Sequence, residues 1–168
     1  MSKNLNYKID SMREGGKILG IIKKQLVEFS VLGTTFEAIE AEAQKLIKKS
    51  GRTPSFSTVP GYHWATCIMK NDEVCHGVPK NKKINDGDVI TIDVGLINNN
   101  YHLDTTITFA VGNVDQKIMD FLNVGKKSLK NAIEKARIGN SVYDISRAME
   151  KPLARSGYGV VFQLTGHG

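Results

Sequence analysis

Cysteines, long apolar runs and familiar nucleotide-binding motifs are scarce or absent in this sequence. Its two cysteines, Cys67 and Cys75, are too few for a disulfide framework. No apolar stretch approaches the roughly 20 residues of a membrane span, and the polar N-terminus lacks the apolar segment of a signal peptide. These absences predict a cytoplasmic protein that keeps its thiols reduced and has no membrane partner.

Several catalytic motifs are absent as well. The sequence contains no glycine-rich phosphate loop, no Cys-x-x-Cys pair and no serine nucleophile elbow, so kinase, P-loop and zinc-finger functions lack support. A length of 168 residues fits a single domain. Contents of 40% hydrophobic and 24% charged residues are typical of a globular chain rather than a disordered one.

Positive charge exceeds negative charge. The chain has 23 Lys and Arg against 17 Asp and Glu, which gives a net charge of +6. Such an excess favours anionic partners such as RNA or a ribosome surface. The lysines are scattered over helix ends and loops, so a solvated surface without such a partner is the alternative. Nothing in the pattern indicates a specific DNA-binding motif.

Hydrophobic periodicity predicts two helices, then strands, then two more helices. The predicted helices begin at Ser11, Thr34, Asp115 and Ser141, three of them at capping-box patterns, and Pro152 should kink or shorten the last one. The predicted strands are 65–69, 73–76, 88–97, 101–110 and 159–164. These strands predict two hairpins, one with its turn at Asn71-Asp72 and one with its turn around Asn98 to Asn100.

An internal repeat is visible at an offset of 106 residues. Gly33, Ile39, Ser50 and Gly51 match Gly139, Ile145, Ser156 and Gly157. The repeat predicts a first copy at about 11–112 and a partial second copy at about 115–168, whose hairpin would end roughly at position 216. Residues 1–168 are therefore expected to form one catalytic-type domain that is incomplete at its C-terminus.

Two aspartates interrupt strands that are otherwise apolar or β-branched. Asp93 and Asp104 each lie in a predicted strand, where aspartate is depleted. If Asn98 and Asn99 form the turn, Asp93 lies opposite Asp104, and the two like charges need a shared proton or a bound cation. A three-residue turn would place them diagonally or on opposite faces. Paired carboxylates fit a two-metal site, and two aspartates with ordinary hydrogen bonds are the alternative.

Other candidate site residues have weaker contexts. His167 is flanked by glycines, which suits a metal ligand, and an ordinary loop histidine is the alternative. His76 follows a short predicted strand and is a candidate substrate contact or proton donor. His102 alternates with the second aspartate and is a candidate support for a metal ligand. Tyr62 and Cys67 are candidates for the wall of an apolar pocket, although Cys67 could also be a small buried core residue.

Five stretches taken together carry a resemblance to a known family. They are GYHWATC (61–67), NDEVCHGVP (71–79), INDGDVITIDVG (84–95), YHLDTTITFAVG (101–112) and GHG (166–168). In these stretches, and over the whole chain, the sequence resembles type I methionine aminopeptidases. The resemblance implies an α+β class and the pita-bread fold, with an antiparallel sheet, flanking helices and an incomplete second repeat.

The resemblance also implies a role for each candidate residue. Asp93 is similar to the bidentate ligand of one metal, Asp104 to the bridging carboxylate, and His167 to the histidine ligand of the other metal. His76 resembles the histidine that contacts the substrate near the scissile amide. Tyr62 and Cys67 resemble lining residues of the pocket for the methionine side chain. In the family, two glutamate ligands and a second histidine lie beyond GHG, so this chain would hold three of five ligands.

The implied activity is removal of the initiator methionine from nascent proteins by a water activated between two divalent ions, which could be Co, Mn, Fe or Zn. The implied partners are the N-terminal peptide of a nascent protein and a ribosome, and the family is expected to be monomeric. Two alternatives stay open. The chain could be an inactive module that binds a ribosome, RNA or peptide, or a related exopeptidase that acts before proline.

Overall fold

The computed structural model describes residues 3–166. The chain divides into two compact units after Val114, and within the described residues these are 3–114 and 115–166. The class is α+β. In the first unit, the helices are α1 (Lys3–Phe29) and α2 (Phe36–Lys49), and the strands are β1 (Thr53–Pro54), β2 (Thr66–Lys70), β3 (Val89–Asn98) and β4 (Tyr101–Ala110). A short 3-10 turn covers Phe56–Thr58. The second unit contains α3 (Gln116–Lys135) and α4 (Val142–Arg155).

The sheet of the first unit is built around β3, and all its pairings are antiparallel. One edge of β3 pairs with β1 and β2, and the other edge pairs along its whole length with β4. Alternate β3 residues are fully buried: Ile90, Ile92, Val94 and Leu96. Because side chains alternate across a strand, this apolar row faces one side of the sheet, and the residues between them face the other side.

The two helices of the first unit complete its core on the apolar side of the sheet. Buried residues at helical spacing are Leu19, Ile22 and Leu26 from α1, and Phe36, Ile39, Ala43 and Ile47 from α2. Burying one such Leu, Ile or Phe side chain contributes about 1.5 to 3 kcal/mol. The opposite face of β3 and β4 is polar and carries the candidate site.

The turn between β3 and β4 differs from the expected one. Asn98 pairs with Tyr101, so Asn99 and Asn100 form the two-residue turn, with φ of 51° and 66°. Both values suit a type I′ turn, which asparagine tolerates better than most residues. The turn therefore lies one residue later than the predicted Asn98-Asn99 pair, and this shifts every cross-strand partner.

The expected start of α1 at Ser11 is wrong. The helix already begins at Lys3, and Ser11 is buried inside it. Its carbonyl accepts a hydrogen bond from Asn98 Nδ2 at 2.7 Å, and its hydroxyl accepts one from Asn99 Nδ2 at 3.2 Å. Ser11 thus binds the β3–β4 turn instead of capping a helix. The cap of α2 is Thr35, one residue after the predicted Thr34.

Two predicted strands do not form. Residues 73–76 and 159–164 have no strand structure. A segment with a period-two pattern becomes a strand only when a neighbour supplies a ladder of hydrogen bonds, and the described part of the chain supplies none for either segment. In the second unit, the capping box of Ser141 and Asp144 forms as predicted. Pro152 lies inside α4 without ending it.

The offset of 106 residues found in the sequence repeat also separates corresponding helix ends in the structure. Helices α2 and α4 both have 14 residues, and their bounds differ by this offset, as do the last residues of α1 and α3. The glycines that follow the helices have left-handed φ in each case: 86° and 96° at Gly33 and Gly139, and 75° at both Gly51 and Gly157. No helix in the described part of the chain has the length and apolar character needed to cross a bilayer.

Candidate active site

Asp93 lies at the centre of the polar face of the sheet. Its partner on β2 is Cys67, and its partner on β4 is Thr106. The hydroxyl of Thr106 donates a hydrogen bond to Asp93 Oδ1 at 2.9 Å. Asp93 is half-buried, so its carboxylate is fixed by the sheet while it remains accessible from the polar face.

Asp104 lies on the same face but not opposite Asp93, and the predicted opposed pair is therefore wrong. The partner of Asp104 is Gly95, which places the two aspartates diagonally. Diagonal neighbours in an antiparallel pair are about 7 to 8 Å apart. This spacing weakens the direct repulsion between the carboxylates and leaves room between them for a cation.

Gly95 leaves space for the turn that covers the polar face. A Cβ atom at Gly95 would lie 2.7 Å from the Phe56 ring and 3.0 Å from Ser55 Cβ. The buried Ser55 also bonds His102, because its Oγ lies 2.8 Å from His102 Nδ1. His102 shares the face of Asp104, as predicted from its alternation, and its ring is fixed by Ser55.

Tyr62 and Cys67 form one wall beside Asp93. The hydroxyl of Tyr62 donates to the carbonyl of Thr66 at 2.6 Å and lies 3.2 Å from Cys67 Sγ. The ring of Tyr62 packs edge-on against Trp64, with centroids 5.0 Å apart. These contacts make a partly apolar surface next to a carboxylate, which suits a pocket for an uncharged side chain.

Both groups of this wall stay protonated at neutral pH. Burial raises the pKa of Tyr62 well above its usual value, and the bond to Cys67 and the charge of Asp93 act in the same direction. Burial also raises the pKa of the Cys67 thiol, against the smaller effect of the Tyr62 hydrogen bond. A protonated, buried thiol is a poor nucleophile, which fits a lining position for Cys67 better than a nucleophilic one.

His76 lies in an exposed loop with φ of 54°, not at the end of a strand. The loop is attached to β2 by a hydrogen bond of 2.8 Å from Ile68 N to the carbonyl of Gly77. A Cβ atom at Gly77 would lie 2.2 Å from the carbonyl oxygen of Ile68, so only glycine permits this approach. The attachment brings the His76 segment beside the strand that carries Cys67.

Glu40 is a buried carboxylate that the sequence reasoning missed. It is 5% exposed and accepts hydrogen bonds from Ala65 N, Thr66 N, Thr66 Oγ1 and Gln44 Nε2, at 2.5 to 3.0 Å. These donors offset the cost of burying its charge, and they fix the start of β2 just before Cys67. Its position within the apolar stripe of α2 is a sequence signal that could have revealed it.

The described residues contain two of the three predicted metal ligands. Asp93 and Asp104 share one face, and their hard oxygen donors fit a divalent cation. His167 lies outside the described residues. Among residues 3–166, no group of three or more His, Cys, Asp or Glu side chains is close enough to hold a metal ion. The two aspartates alone do not make up such a group.

Comparison with known families gives a match over nearly the whole chain. The model of metallopeptidase family M24 matches residues 10–168. The methionine aminopeptidase of Clostridium perfringens is 37% identical over 166 residues, which cover 99% of this chain and 66% of that protein. The chain spans 63 to 66% of the length of the first curated relatives that it matches.

Solved structures share the fold. The methionine aminopeptidase of Rickettsia prowazekii has a TM-score of 0.92 and 26% identity, covering 97% of this chain and 66% of that one. The prolidase of Pyrococcus furiosus, at 23% identity, is similar in fold alone, with a TM-score of 0.78 over 94% of this chain and 44% of that one. The predicted pita-bread fold is confirmed by these likenesses.

Proposed function

Because the chain belongs to metallopeptidase family M24, we propose that it acts as a methionine aminopeptidase that hydrolyses the bond after the N-terminal methionine of nascent proteins. The observation that carries the proposal is the polar face of the sheet. There, Asp93 and Asp104 lie diagonally beside the wall made by Tyr62 and Cys67. Carboxylates next to a pocket for an uncharged side chain fit hydrolysis of a peptide with an apolar first residue.

The family implies divalent metal ions, and we propose that there are two. Asp93 and Asp104 would hold them together with His167 and with ligands beyond these three. Carboxylate and imidazole donors suit Mn, Fe, Co or Zn. When bound, such ions supply Lewis acidity that activates water and polarises the peptide carbonyl.

The remaining residues of the site hold and orient the substrate. Thr106 keeps the Asp93 carboxylate in one orientation through its hydrogen bond. Tyr62 and Cys67, both uncharged, line the pocket for the methionine side chain. His76, on the loop attached by Gly77, contacts the scissile amide. This arrangement disfavours an acidic first residue, because the uncharged wall does not compensate for burying its charge and the neighbouring Asp93 carboxylate repels it.

The proposal also concerns partners and location. The substrate is the N-terminal peptide of a nascent protein, and the enzyme acts as a monomer in the cytoplasm. The net charge of +6 supports association with a ribosome. Residues 1–168 would contribute to one catalytic domain, with the first repeat at about 11–112 and part of the second at about 115–168.

The test is release of methionine from a Met-Ala-Ser peptide by the product of the whole open reading frame, read past codon 168. Asp93→Asn should lower kcat/KM more than about a hundredfold, because it removes a ligand charge. Asp120→Asn, an exposed aspartate on α3, is the control and should leave the rate unchanged. Wild-type activity in Asp93→Asn would refute the proposal. Cleavage of Xaa-Pro peptides in place of Met-Ala-Ser would refute the methionine specificity.

A further inference from the structure

The positive charge of the chain is concentrated in its second unit. Residues 115–168 contain nine Lys and Arg against five Asp and Glu, so this unit carries +4 of the total charge of +6 in about a third of the length. The six ion pairs found among the described residues all lie in the first unit. Within residues 115–166, the basic side chains are therefore not neutralised by ion pairs.

Five of these basic side chains line a groove between α3 and α4, which we call the basic groove. They are Lys127, Lys135, Arg147, Lys151 and Arg155. One hollow of the groove, of about 260 Å³, is lined by three of these cations with Asn131 and Ser156 and contains no carboxylate. The adjoining hollow, of about 400 Å³, adds the other two cations together with Glu134 and Asp144.

The cations form two rows that face each other across the groove. On α4, Arg147, Lys151 and Arg155 follow one another at intervals of four residues, and on α3 Lys127 and Lys135 flank Asn131 at the same interval. Residues four apart lie on one face of a helix. At 1.5 Å per residue, each row extends about 12 Å along the groove. A linear array of this length matches a chain of anionic groups better than a single anion.

The acidic residues of the groove offset only part of this charge, and they do so in the larger hollow, where Asp144 interacts with Lys135 and Arg147. The Asp144 carboxylate already accepts hydrogen bonds from Ser141 Oγ at 2.7 Å and Ser141 N at 2.8 Å in the cap of α4. Glu134 lines only the larger hollow, next to Lys135. The smaller hollow therefore keeps three positive charges with no acidic neighbour in its lining.

We propose that the basic groove binds the phosphate backbone of RNA. Lysine and arginine supply the charge that neutralises phosphates, and Asn131 and Ser156 supply neutral hydrogen bonds. The lining contains no aromatic side chain on which bases could stack, so the contact is independent of base sequence. The inference deepens the proposed ribosome association by naming its surface, and it does not depend on the peptidase activity.

The experiment measures binding of a fluorescein-labelled uridine homopolymer to the whole chain by fluorescence anisotropy over a range of salt concentrations. The groove triple variant is Lys127→Gln, Lys151→Gln, Arg155→Gln. The control triple variant is Lys117→Gln, Lys126→Gln, Lys130→Gln, which removes the same charge from exposed α3 positions that do not line the groove. Glutamine is a good helix former, and circular dichroism checks that both variants are folded.

The groove triple variant should bind at least about tenfold more weakly than wild type. The slope of log K against log salt should fall by about 2, because each contact with a single-stranded phosphate contributes about 0.7. The control triple variant should lose less than about threefold. A Lys127→Arg, Lys151→Arg variant should bind like wild type, since it keeps the charge.

Three results would overturn the inference. Equal losses in the two triple variants would show that only net charge matters. Absence of RNA binding by wild type at low salt would exclude the ligand. Binding to phosphatidylserine vesicles without RNA binding would assign the groove to a lipid surface. Peptidase activity is measured separately on Met-Ala-Ser, so that a failure of RNA binding is not confused with a failure of the proposed function.

Discussion

Asp93 on β3 and Thr106 on β4 are direct cross-strand partners, and the Thr106 hydroxyl donates a hydrogen bond of 2.9 Å to Asp93 Oδ1. One carboxylate oxygen is thereby held in place by the sheet. In metal sites, such a neighbour sets the orientation of the ligand. Thr106 is therefore expected to matter for metal binding although it is not itself a predicted ligand.

Thr106→Val should weaken metal binding while it leaves the fold intact. Valine keeps the shape and the β-branch of threonine but cannot donate a hydrogen bond. Removing a residue that hydrogen-bonds a metal ligand typically lowers metal affinity by about 10- to 100-fold. Titration calorimetry of the chain with Mn²⁺ measures the effect.

Thr108→Val is the matched control for this variant. Thr108 lies two residues further along β4 on the same face, and its hydroxyl bonds Thr91 Oγ1 at 2.9 Å instead of an aspartate. Its substitution should leave Mn²⁺ affinity within about twofold of wild type. Equal affinities for wild type and Thr106→Val would show that the hydrogen bond to Asp93 does not support the metal.

The register that creates this pair could not be read from the sequence. Asn98, Asn99 and Asn100 all tolerate the left-handed conformation of a hairpin turn, so their local preferences do not select the turn. The choice comes from tertiary contacts: the buried Asn98 side chain bonds the carbonyl of Ser11 at 2.7 Å and Arg52 Nε at 2.9 Å. These bonds keep Asn98 in β3, and the turn falls on the next two residues.

Sequence patterns predicted the structure correctly where the pattern and its cause lie within a single helix or strand. The bounds of β4 and the capping box of α4 agree with the structure because alternation and cap chemistry act over a few residues. The strand predicted at 73–76 was wrong, because a strand forms only beside a partner strand, and the sequence of the segment does not show whether one is present. Asp93 and Asp104 stood out because aspartate is unusual in a strand, and this signal does not depend on register.

Glu40→Gln is expected to destabilise the first unit by about 2 to 4 kcal/mol. The amide removes a charge that accepts several hydrogen bonds. Its NH₂ group replaces one of the two oxygens, and so it meets either Ala65 N or Thr66 N with donor facing donor. Urea unfolding followed by circular dichroism gives the change in free energy. Glu42→Gln is the control on the same helix, because Glu42 forms an ion pair with the exposed Lys45 and its substitution should cost less than about 1 kcal/mol. Similar losses for both would contradict a special role of Glu40.

Gly77→Ala should disturb the His76 loop. The added Cβ would meet the Ile68 carbonyl oxygen at 2.2 Å, which forces the loop away from β2 at a cost of about 3 kcal/mol or more. Gly20→Ala in α1 has nothing within 4 Å of its Cβ and should stabilise the chain by about 0.5 to 1 kcal/mol. Thermal unfolding of the two variants compares them directly. An unchanged melting temperature for Gly77→Ala would mean that the loop is not held against β2.

Asp88 links the stability of the first unit to pH. Burial alone would raise the pKa of this carboxyl, but hydrogen bonds from Lys70 Nζ, Asn85 N and Asn71 Nδ2 together hold it below the ordinary value of 3.8. The contacts are 2.6, 2.7 and 3.0 Å long. Because the pKa is lower in the folded state, the charged carboxylate stabilises the fold above about pH 4, and this contribution is lost as the pH falls through the native pKa.

Asp88→Asn should therefore be less stable than wild type by about 1 to 3 kcal/mol at pH 7, because it leaves the part-buried Lys70 ammonium without its anion. The difference should shrink as the pH is lowered towards about 2, since wild type then loses the same charge by protonation. Urea unfolding of both proteins at a series of pH values between these limits measures the difference. A difference that stays constant with pH would show that the hydrogen-bonding shape of Asp88, and not its charge, stabilises the fold.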